Sequence, residues 1–329
     1  MKAVRCLRYG EPSDFDEVLA VEEVEDPLPG EGEVLVDIAA AAVNFPDVLL
    51  IAGRYQVRLP VPFVPGSEFA GTVAAVGSGV GTVRPGDRVA GMTMTGAFAE
   101  RVVVPGAALR PVPDGADLAV AAAGGVALGT AYSTLHAVAA VRPTEWVAVT
   151  GAAGGVGSAS LLLAREAGAR ALAVVSSRAK AEFCARLGAD AVLDLSAISD
   201  VRAAVRDLTG GGVDVLVDLV GGPLAETLLR AMRRGGRFVT VGYASGDIPR
   251  IPLNLVLLKG ISVHGFDMRQ YNELEPAAAA RDAAAVTELS ARGIAVPVTA
   301  RFPLVHAREA LRAVADRTTT GKVVLVTGH

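Results

Sequence analysis

The stretch that decides the fold is Thr150-Gly151-Ala152-Ala153-Gly154-Gly155-Val156-Gly157-Ser158. It follows the apolar run Trp146–Val149 and opens a segment that is predicted to be helical. A helix N-terminus offers unpaired backbone N–H groups and a favourable dipole to an anion, and glycine carries no Cβ that would keep a phosphate away. Gly157 lets the helix pack closely on the strand. The stretch therefore predicts a phosphate-binding turn between a strand and a helix.

Apolar strands continue to alternate with helices after this turn. The predicted strands are Trp146–Val149, Ala171–Val175, Ala191–Leu195, Val213–Leu219, Arg237–Val241 and Ile261–Val263. The predicted helices are Gly155–Ala167, Ala179–Leu187, Ile198–Leu208 and Pro223–Met232. Strands as apolar as these are buried on both faces, and helical crossovers between them indicate an α/β fold with a doubly wound, six-stranded parallel Rossmann sheet.

The residues before the glycine turn have a different pattern. Short strand candidates such as Val34–Ile38 and Gly71–Gly77 are separated by frequent Gly and Pro turns, which is typical of a compact β-barrel-like domain. Asp117–Ala140 and Glu273–Arg292 are rich in alanine and are predicted as helical. The apolar run Val323–Thr327 is predicted to be a strand that returns to the first domain.

Composition excludes several classes of function. The chain has 329 residues, a length for which two domains are expected. Its formal charge is −4 and its basic groups are scattered, so nucleic acid is not an expected partner. No apolar run is long enough for a membrane span, and the start of the chain lacks a secretory signal, so a cytoplasmic location is expected. The two cysteines, Cys6 and Cys184, lie far apart and indicate neither a disulfide framework nor a cysteine zinc site.

The segment after the second strand of the predicted Rossmann sheet indicates which dinucleotide binds. An NAD site usually places Asp or Glu about twenty residues beyond the glycines, where it accepts from the ribose 2′-hydroxyl. No acidic residue occurs between Ala167 and Ala181. Two hydroxyls and two cations occur instead, which suits the 2′-phosphate of NADPH, and they belong to Ser176, Ser177, Arg178 and Lys180.

The glycine turn, the preceding β domain and the closing segment Arg317–Lys322 together resemble the medium-chain dehydrogenase/reductase superfamily. Val43–Asp47, Gly53–Tyr55 and Pro65–Gly71 resemble its quinone oxidoreductase (zeta-crystallin-like) branch. The resemblance covers essentially the whole chain. It implies a GroES-like catalytic β domain of residues 1–120 and 294–329 and an NADPH-binding domain of residues 121–293.

Within this resemblance, one substitution argues against a catalytic metal. The alcohol dehydrogenase branch has a His-Glu pair where this chain has Ser67-Glu68, and it has a cysteine near the position of Asn44. Serine is a poor zinc ligand, no cysteine lies between Cys6 and Cys184, and a zinc site needs three or four Cys, His or acidic ligands. No metal is therefore expected.

The resemblance also implies which residues form the site. Tyr55 and Asn44 are the expected donors near the substrate oxygen, and Asp47 is expected to shape the site. Each has a plainer interpretation, because Asn44 suits a turn, Asp47 suits the cap of a helix beginning near Val48, and Tyr55 suits a core aromatic. The expected cofactor contacts are Thr130, Gly154, Gly155, Val156, Ser176, Ser177, Arg178, Lys180, Gly242, Phe266 and Arg317.

The function implied is hydride transfer from NADPH to a quinone or an α,β-unsaturated carbonyl without zinc. Two alternatives stay open: an enoyl-thioester reductase of the polyketide-synthase type, and a non-catalytic NADPH-binding protein. The strand beginning at Ile261 is expected at the edge of the Rossmann sheet, where an apolar edge favours pairing. The resemblance therefore implies a homodimer through that strand and a small-molecule substrate.

Overall fold

The structure is a computed structural model and describes residues 1–328. The chain forms two compact units, Met1–Val126 with Pro297–His329, and Ala127–Val296. The sequence placed the two divisions after residues 120 and 293. Within the described residues, no helix has both the length and the apolar character needed to cross a bilayer.

Strands and helices alternate along most of the described chain. The strands are β1 (Lys2–Cys6), β2 (Leu19–Glu23), β3 (Glu33–Val43), β4 (Glu68–Val76), β5 (Arg88–Met92), β6 (Arg101–Pro105), β7 (Leu109–Pro111), β8 (Trp146–Thr150), β9 (Arg170–Val175), β10 (Ala191–Asp194), β11 (Val213–Asp218), β12 (Met232–Thr240), β13 (Ser262–Gly265), β14 (Val298–Pro303) and β15 (Lys322–Val326). The helices are α1 (Phe15–Val18), α2 (Phe45–Ile51), α3 (Leu118–Ala122), α4 (Gly125–Tyr132), α5 (Gly155–Glu166), α6 (Arg178–Arg186), α7 (Val201–Thr209), α8 (Pro223–Ala231), α9 (Leu253–Lys259), α10 (Met268–Leu274), α11 (Pro276–Ala291) and α12 (Ala307–Ala315).

The unit of residues 127–296 is built on a six-stranded sheet. Its strand order is β10-β9-β8-β11-β12-β13, and every pair of neighbours is parallel. The chain starts in the middle, runs to one edge, and returns to build the other half, which is the doubly wound arrangement. The predicted Rossmann sheet is therefore confirmed.

Two helix predictions in this unit differ from the structure. Glu273–Arg292 was expected as one helix, but α10 ends at Leu274 and α11 begins at Pro276. Proline lacks a backbone N–H and disfavours helical backbone at the preceding residue, so it begins a new helix here. The predicted helix Ile198–Leu208 instead begins at Val201, because the carboxylate of Asp200 accepts from the N–H of Ala203 at 2.9 Å and caps it.

The other unit is built on a seven-stranded sheet of order β14-β15-β3-β4-β5-β7, with β6 also paired to β3. The predicted β domain is thus confirmed, and its closing strand is β15, which pairs antiparallel with β3. Strand β4 lies close to β3 at Gly71. A Cβ at Gly71 would lie 1.9 Å from the carbonyl oxygen of Asp37, so only glycine fits there.

Candidate active site

The glycine turn has the geometry expected of an anion-binding helix start. Gly154 is the N-cap of α5, and the N–H of Ser158 donates to the carbonyl of Gly154 at 2.8 Å. That bond is the first of the helix. The N–H groups of Gly155, Val156 and Gly157 lie before Ser158 in the chain, so no carbonyl within the helix is available to accept from them. A Cβ at Gly157 would lie 2.3 Å from the carbonyl oxygen of Gly151. The absence of a side chain at Gly157 therefore allows the helix to start this close to the turn.

A buried hydrogen-bond network fixes the turn to the next strand of the sheet. The Thr150 hydroxyl donates to Oδ1 of Asp218 at 2.7 Å and accepts from the N–H of Leu219 at 2.9 Å. The same Oδ1 accepts from the N–H of Gly221 at 3.1 Å. Thr150 and Asp218 have no exposed surface. The carboxyl ends of β8 and β11 are therefore joined by side chains as well as by the sheet.

Three other predicted cofactor contacts lie at this same edge of the sheet. Gly242 follows β12, and its N–H donates to the carbonyl of Asp218 at 3.3 Å. Phe266 follows β13, and its N–H donates to the carbonyl of Thr240 at 3.0 Å. Thr130 is buried, and its hydroxyl lies 3.4 Å from the sulfur of Met268, two residues beyond Phe266. In doubly wound sheets, ligands bind at this carboxyl edge.

The predicted 2′-phosphate residues cluster after β9. Ser177 is the N-cap of α6, and its hydroxyl accepts from the N–H of Lys180 at 3.5 Å. The ammonium of Lys180 lies 3.3 Å from the hydroxyl of Ser176. The guanidinium of Arg178 points into solvent and pairs with Glu182, four residues along the helix, at 3.1 Å. The hydroxyls of Ser176 and Ser177 and the ammonium of Lys180 thus lie close together at the start of α6.

Arg317 belongs to the other unit. It follows α12 in a left-handed conformation with φ of 56°, and its N–H donates to the carbonyl of Val314 at 3.2 Å. Its contact with the cofactor stays a prediction.

The unit of β3 and β15 contains a buried polar cluster that we call the Lys322 cluster, made of Asn44, Asp47, Glu68 and Lys322. The ammonium of Lys322 donates to Oε1 of Glu68 at 2.5 Å and to Oδ1 of Asn44 at 2.6 Å. Nδ2 of Asn44 donates to the same Glu68 oxygen at 3.0 Å. Lys322 and Glu68 are 3 % and 1 % exposed, so both charges are removed from water. Each is tolerated because the other is its partner.

Asp47 orients this cluster from the first turn of α2. The helix begins at Phe45, with Asn44 as its N-cap, and not near Val48. Pro46 near its start needs no hydrogen-bond acceptor, which allows the earlier beginning. Oδ2 of Asp47 accepts from the N–H of Asn44 at 2.8 Å. Asp47 has no exposed surface, so it acts on the site through Asn44.

Burial raises the pKa of Asp47 to about 7. The Asn44 N–H and the Lys322 ammonium favour the charged form, whereas the nearby Glu68 carboxylate opposes it. Desolvation is the largest of these effects, so the folded protein holds this carboxyl protonated at acidic pH.

This raised pKa predicts a pH dependence of stability. Between about pH 4 and 7 the folded chain holds a proton on Asp47 that the unfolded chain has lost, so the free energy of unfolding falls as pH rises through that window. In urea titrations, the wild type should lose about 3 kcal/mol more than Asp47→Asn between pH 5 and 8. The same pH slope in both proteins would contradict the shifted pKa.

Tyr55 lies in the irregular segment after α2 and is half-buried. Ser67 immediately precedes Glu68, and its hydroxyl lies 3.5 Å from Nδ2 of Asn44. Asn44 thus has one side-chain N–H committed to Glu68, and the other has only two long contacts of 3.5 Å, with the Ser67 hydroxyl and with the carbonyl of Ala42. The structure places Asn44 and Asp47 together in one cluster and Tyr55 on the segment that follows their helix.

The donors around Ser67 do not form a metal site. Within residues 1–328, no three His, Cys, Asp or Glu side chains come together in a group that could hold an ion. The carboxylate of Glu68 is bound by the Lys322 ammonium and by the N–H of Val126, at 2.8 Å. A cation in contact with the acid would repel a metal ion placed there.

Sequence reasoning assigned no site role to four residues of these clusters, namely Glu68, Lys322, Thr150 and Asp218, although Glu68 and Lys322 stand in segments that carry the family resemblance. Lys322 had a usable signal, since a lysine that begins an apolar strand and becomes buried needs an acidic partner. Thr150 and Asp218 end apolar strands, and two such ends meet when the strands are neighbours in a parallel sheet. The lysine at the start of its strand and the polar residues at the ends of the other two strands do not identify their own partners. The partners follow only from the order of the strands in the sheet.

Known proteins match both units of the chain. Residues 30–114 match the alcohol dehydrogenase GroES-like domain family, and residues 155–282 match the zinc-binding dehydrogenase family. The chain is 36 % identical over 327 residues to mouse quinone oxidoreductase-like protein 2, covering 98 % of this chain and 91 % of that one. The quinone oxidoreductase of Thermus thermophilus, whose structure was solved alone and with NADPH, superposes with a TM-score of 0.85 at 33 % identity, covering 99 % of this chain and 100 % of that one.

A larger enzyme also contains a similar segment. The chain is 31 % identical over 306 residues to a mycocerosic acid synthase-like polyketide synthase of Mycobacterium tuberculosis. That match covers 92 % of this chain and 14 % of the synthase.

Proposed function

Because the chain belongs to the medium-chain dehydrogenase/reductase family, in its zinc-free quinone oxidoreductase-like branch, we propose that it is an NADPH-dependent reductase of quinones or α,β-unsaturated carbonyls. One observation carries the proposal. The glycine turn opens α5 at the carboxyl edge of the sheet, next to the hydroxyls and ammonium of Ser176, Ser177 and Lys180. When bound, NADPH supplies the hydride.

The residues of the turn have distinct roles in this proposal. The amides of Gly155 and Val156 bind the pyrophosphate at the start of α5, where the helix dipole favours negative charge. Ser176, Ser177 and Lys180 bind the 2′-phosphate through charge-assisted hydrogen bonds. Thr130, Gly242 and Phe266 line the edge where the nicotinamide half is expected.

Substrate reduction needs donors for the oxygen on which negative charge develops. We assign that role to Tyr55 and to the N–H of Asn44 that has only long contacts. Asp47, Glu68 and Lys322 are positioning residues, because all three are buried around Asn44. Glu68 and Lys322 bind its side-chain amide, and Asp47 accepts from its backbone N–H. The proton that completes the reduction comes from Tyr55 or from water.

The test is NADPH oxidation by the purified protein with quinones, short enones and enoyl thioesters as separate acceptors. Turnover with a quinone or an enone supports the proposal. Tight NADPH binding without turnover of any acceptor would instead indicate a non-catalytic NADPH-binding protein.

The polyketide synthase match favours a second candidate, an enoyl-thioester reductase. Such an enzyme reduces the same conjugated double bond but with a thioester in place of the ketone. A kcat/KM for enoyl thioesters well above that for quinones would select this candidate.

Lys180 provides a test of cofactor choice. NADPH and NADH differ only in the 2′-phosphate, so Lys180→Ala should raise the dissociation constant for NADPH about tenfold and leave that for NADH nearly unchanged. Both constants are measured by quenching of protein fluorescence. Arg186→Gln, at the far end of α6, is the matched control. Equal weakening of both cofactors by Lys180→Ala would contradict the assignment.

We also propose a homodimer through β13. This strand is the last of the six-stranded sheet, and Val263 on it is exposed. Helix α9 adds Leu253, Leu257 and Leu258, which are 77 %, 80 % and 63 % exposed. Light scattering should give twice the chain mass, and Leu257→Asp with Val263→Asp should give the mass of one chain. A cytoplasmic location stays a prediction.

A further inference from the structure

The unit of residues 127–296 has a second concave, positively charged surface, which we call the basic cleft. It has a volume of about 290 Å³ and lies between α7, the end of α8, the start of β12 and the end of α9. Its cationic lining residues are Arg202, Arg206, Arg230, Arg233, Arg234 and Lys259.

The basic cleft lies at the amino ends of the parallel strands, whereas the glycine turn lies at their carboxyl ends. Gly211, just before β11, and Met232, the first residue of β12, line the cleft. Thr150 and Asp218 of the glycine-turn network stand at the other ends of parallel strands. The cleft is therefore separate from the proposed NADPH site, and its argument does not depend on the proposed function.

Several of these cations already have partners in the fold. Arg230 pairs with Glu226 at 2.6 Å, and Arg233 pairs with Asp214 at 3.0 Å. Arg234 donates to the carbonyl of Leu258 at 3.1 Å.

Lys259 is also committed to the fold. Its ammonium donates to the carbonyls of Arg230 at 2.6 Å and Met232 at 2.7 Å, where α8 ends. These bonds hold α9 against the end of α8.

Arg202 and Arg206 are different. They stand four residues apart on α7, so they lie on the same face of the helix. Within residues 1–328, neither guanidinium forms a hydrogen bond or an ion pair, although Asp200 and Asp207 line a neighbouring pocket together with both arginines. Two adjacent guanidiniums that face a concave surface without a carboxylate partner are a binding arrangement for phosphate groups.

The arginines around Lys259 give the basic cleft more positive than negative charge. The pKa of Lys259 is lowered, first by burial and then by repulsion from Arg202, Arg206 and Arg230. An anion bound among these groups would offset that repulsion.

We propose that the basic cleft binds a small, soluble, phosphate-bearing anion, with Arg202 and Arg206 as the principal ligands. Such a ligand would contact α7, α8 and α9 together, at the edge of the sheet opposite the cofactor.

Isothermal titration with inorganic pyrophosphate tests the proposal. The protein is first saturated with NADPH, so that the glycine turn is not available to the probe. Sodium chloride replaces pyrophosphate at equal ionic strength in the reference titration. We expect one site per chain, weakened at least about tenfold in the double variant Arg202→Gln/Arg206→Gln.

The double variant Arg186→Gln/Arg281→Gln is the matched control, since it removes two exposed guanidiniums of the same unit outside the cleft. It should bind pyrophosphate as the wild type does. Arg202→Lys/Arg206→Lys keeps both charges but not the paired N–H geometry, so it should bind with intermediate affinity. This variant also tests the proposal if the glutamine variant does not fold.

Three results would overturn the proposal. One is equal pyrophosphate affinity in the wild type and the Arg202/Arg206 variants. Another is a signal that sodium chloride reproduces at the same ionic strength. The third is binding to vesicles of anionic phospholipid that depends on Arg202 and Arg206, without binding of pyrophosphate, because the ligand would then be a membrane surface.

Discussion

Replacing Lys322 with methionine is expected to lower the free energy of unfolding by about 3 to 5 kcal/mol. Methionine fills similar space but leaves the carboxylate of Glu68, 1 % exposed, without its cation. An uncompensated buried charge is costly because it has lost its water and gained no partner. Urea titrations followed by circular dichroism measure the loss.

A second substitution separates the charge effect from the packing effect. In Glu68→Gln/Lys322→Met no buried charge is left unpaired. The glutamine oxygen keeps one of the two acceptor positions of the carboxylate, which receive Asn44 on Oε1 and the N–H of Val126 on Oε2. The double variant should therefore regain a large part of the lost stability. Lys2→Met, which changes an exposed lysine, is the control. If the double variant is no more stable than Lys322→Met alone, the stability of this region does not come from the ion pair.

Gly157→Ala is expected to weaken NADPH binding at least about 100-fold, which corresponds to about 2.7 kcal/mol. The added Cβ would lie 2.3 Å from the carbonyl oxygen of Gly151 and 2.7 Å from Cα of Ala152, and both are backbone atoms. The turn must open to accept it, which moves the amides of Gly155 and Val156 away from the pyrophosphate. Fluorescence titration with NADPH gives the affinity, and thermal unfolding reports the strain.

Gly154→Ala separates the loss of NADPH binding from the strain that Gly157→Ala introduces into the turn. Its Cβ would meet the Gly151 oxygen at 3.4 Å, an ordinary contact, so thermal stability should change little. It should still lower NADPH affinity, because the methyl group stands where the phosphate approaches. Gly81→Ala adds a side chain in open space and serves as the control for both. An NADPH affinity for Gly157→Ala within about threefold of the wild type would contradict the proposed role of the turn.

The Rossmann half of the fold was predictable because its signals are local. Apolar runs of strand length, such as Trp146–Val149, alternate with helical segments, and the glycine turn marks the first crossover. The predicted helix boundaries were wrong where a single residue sets the start of a helix against the pattern of the surrounding sequence. Pro276 begins a new helix inside an alanine-rich stretch, and Asp200 caps α7 later than periodicity indicated.

The candidate sites were less predictable, because they depend on pairs that are distant in sequence. Asn44, Glu68 and Lys322 meet only because β15 pairs with β3 and β3 pairs with β4. The basic cleft likewise combines α7, α8 and α9, whose cations look scattered along the chain. Residues near a motif, such as Ser177, can be proposed from sequence, whereas partners brought together by strand order cannot.

The pairing of β15 with β3 has a consequence for how the protein is made. Residues 127–296 are inserted into the other unit, so the ribosome completes them before β15 exists. The Rossmann unit is therefore available to fold during synthesis, while residues 40–43 of β3 still lack the strand β15 with which they pair. Glu68 receives the ammonium of Lys322 only after residues 127–296 have been synthesised. A nascent chain that stops before Lys322 would therefore leave the carboxylate of Glu68 without its cation, although residues 127–296 are already complete.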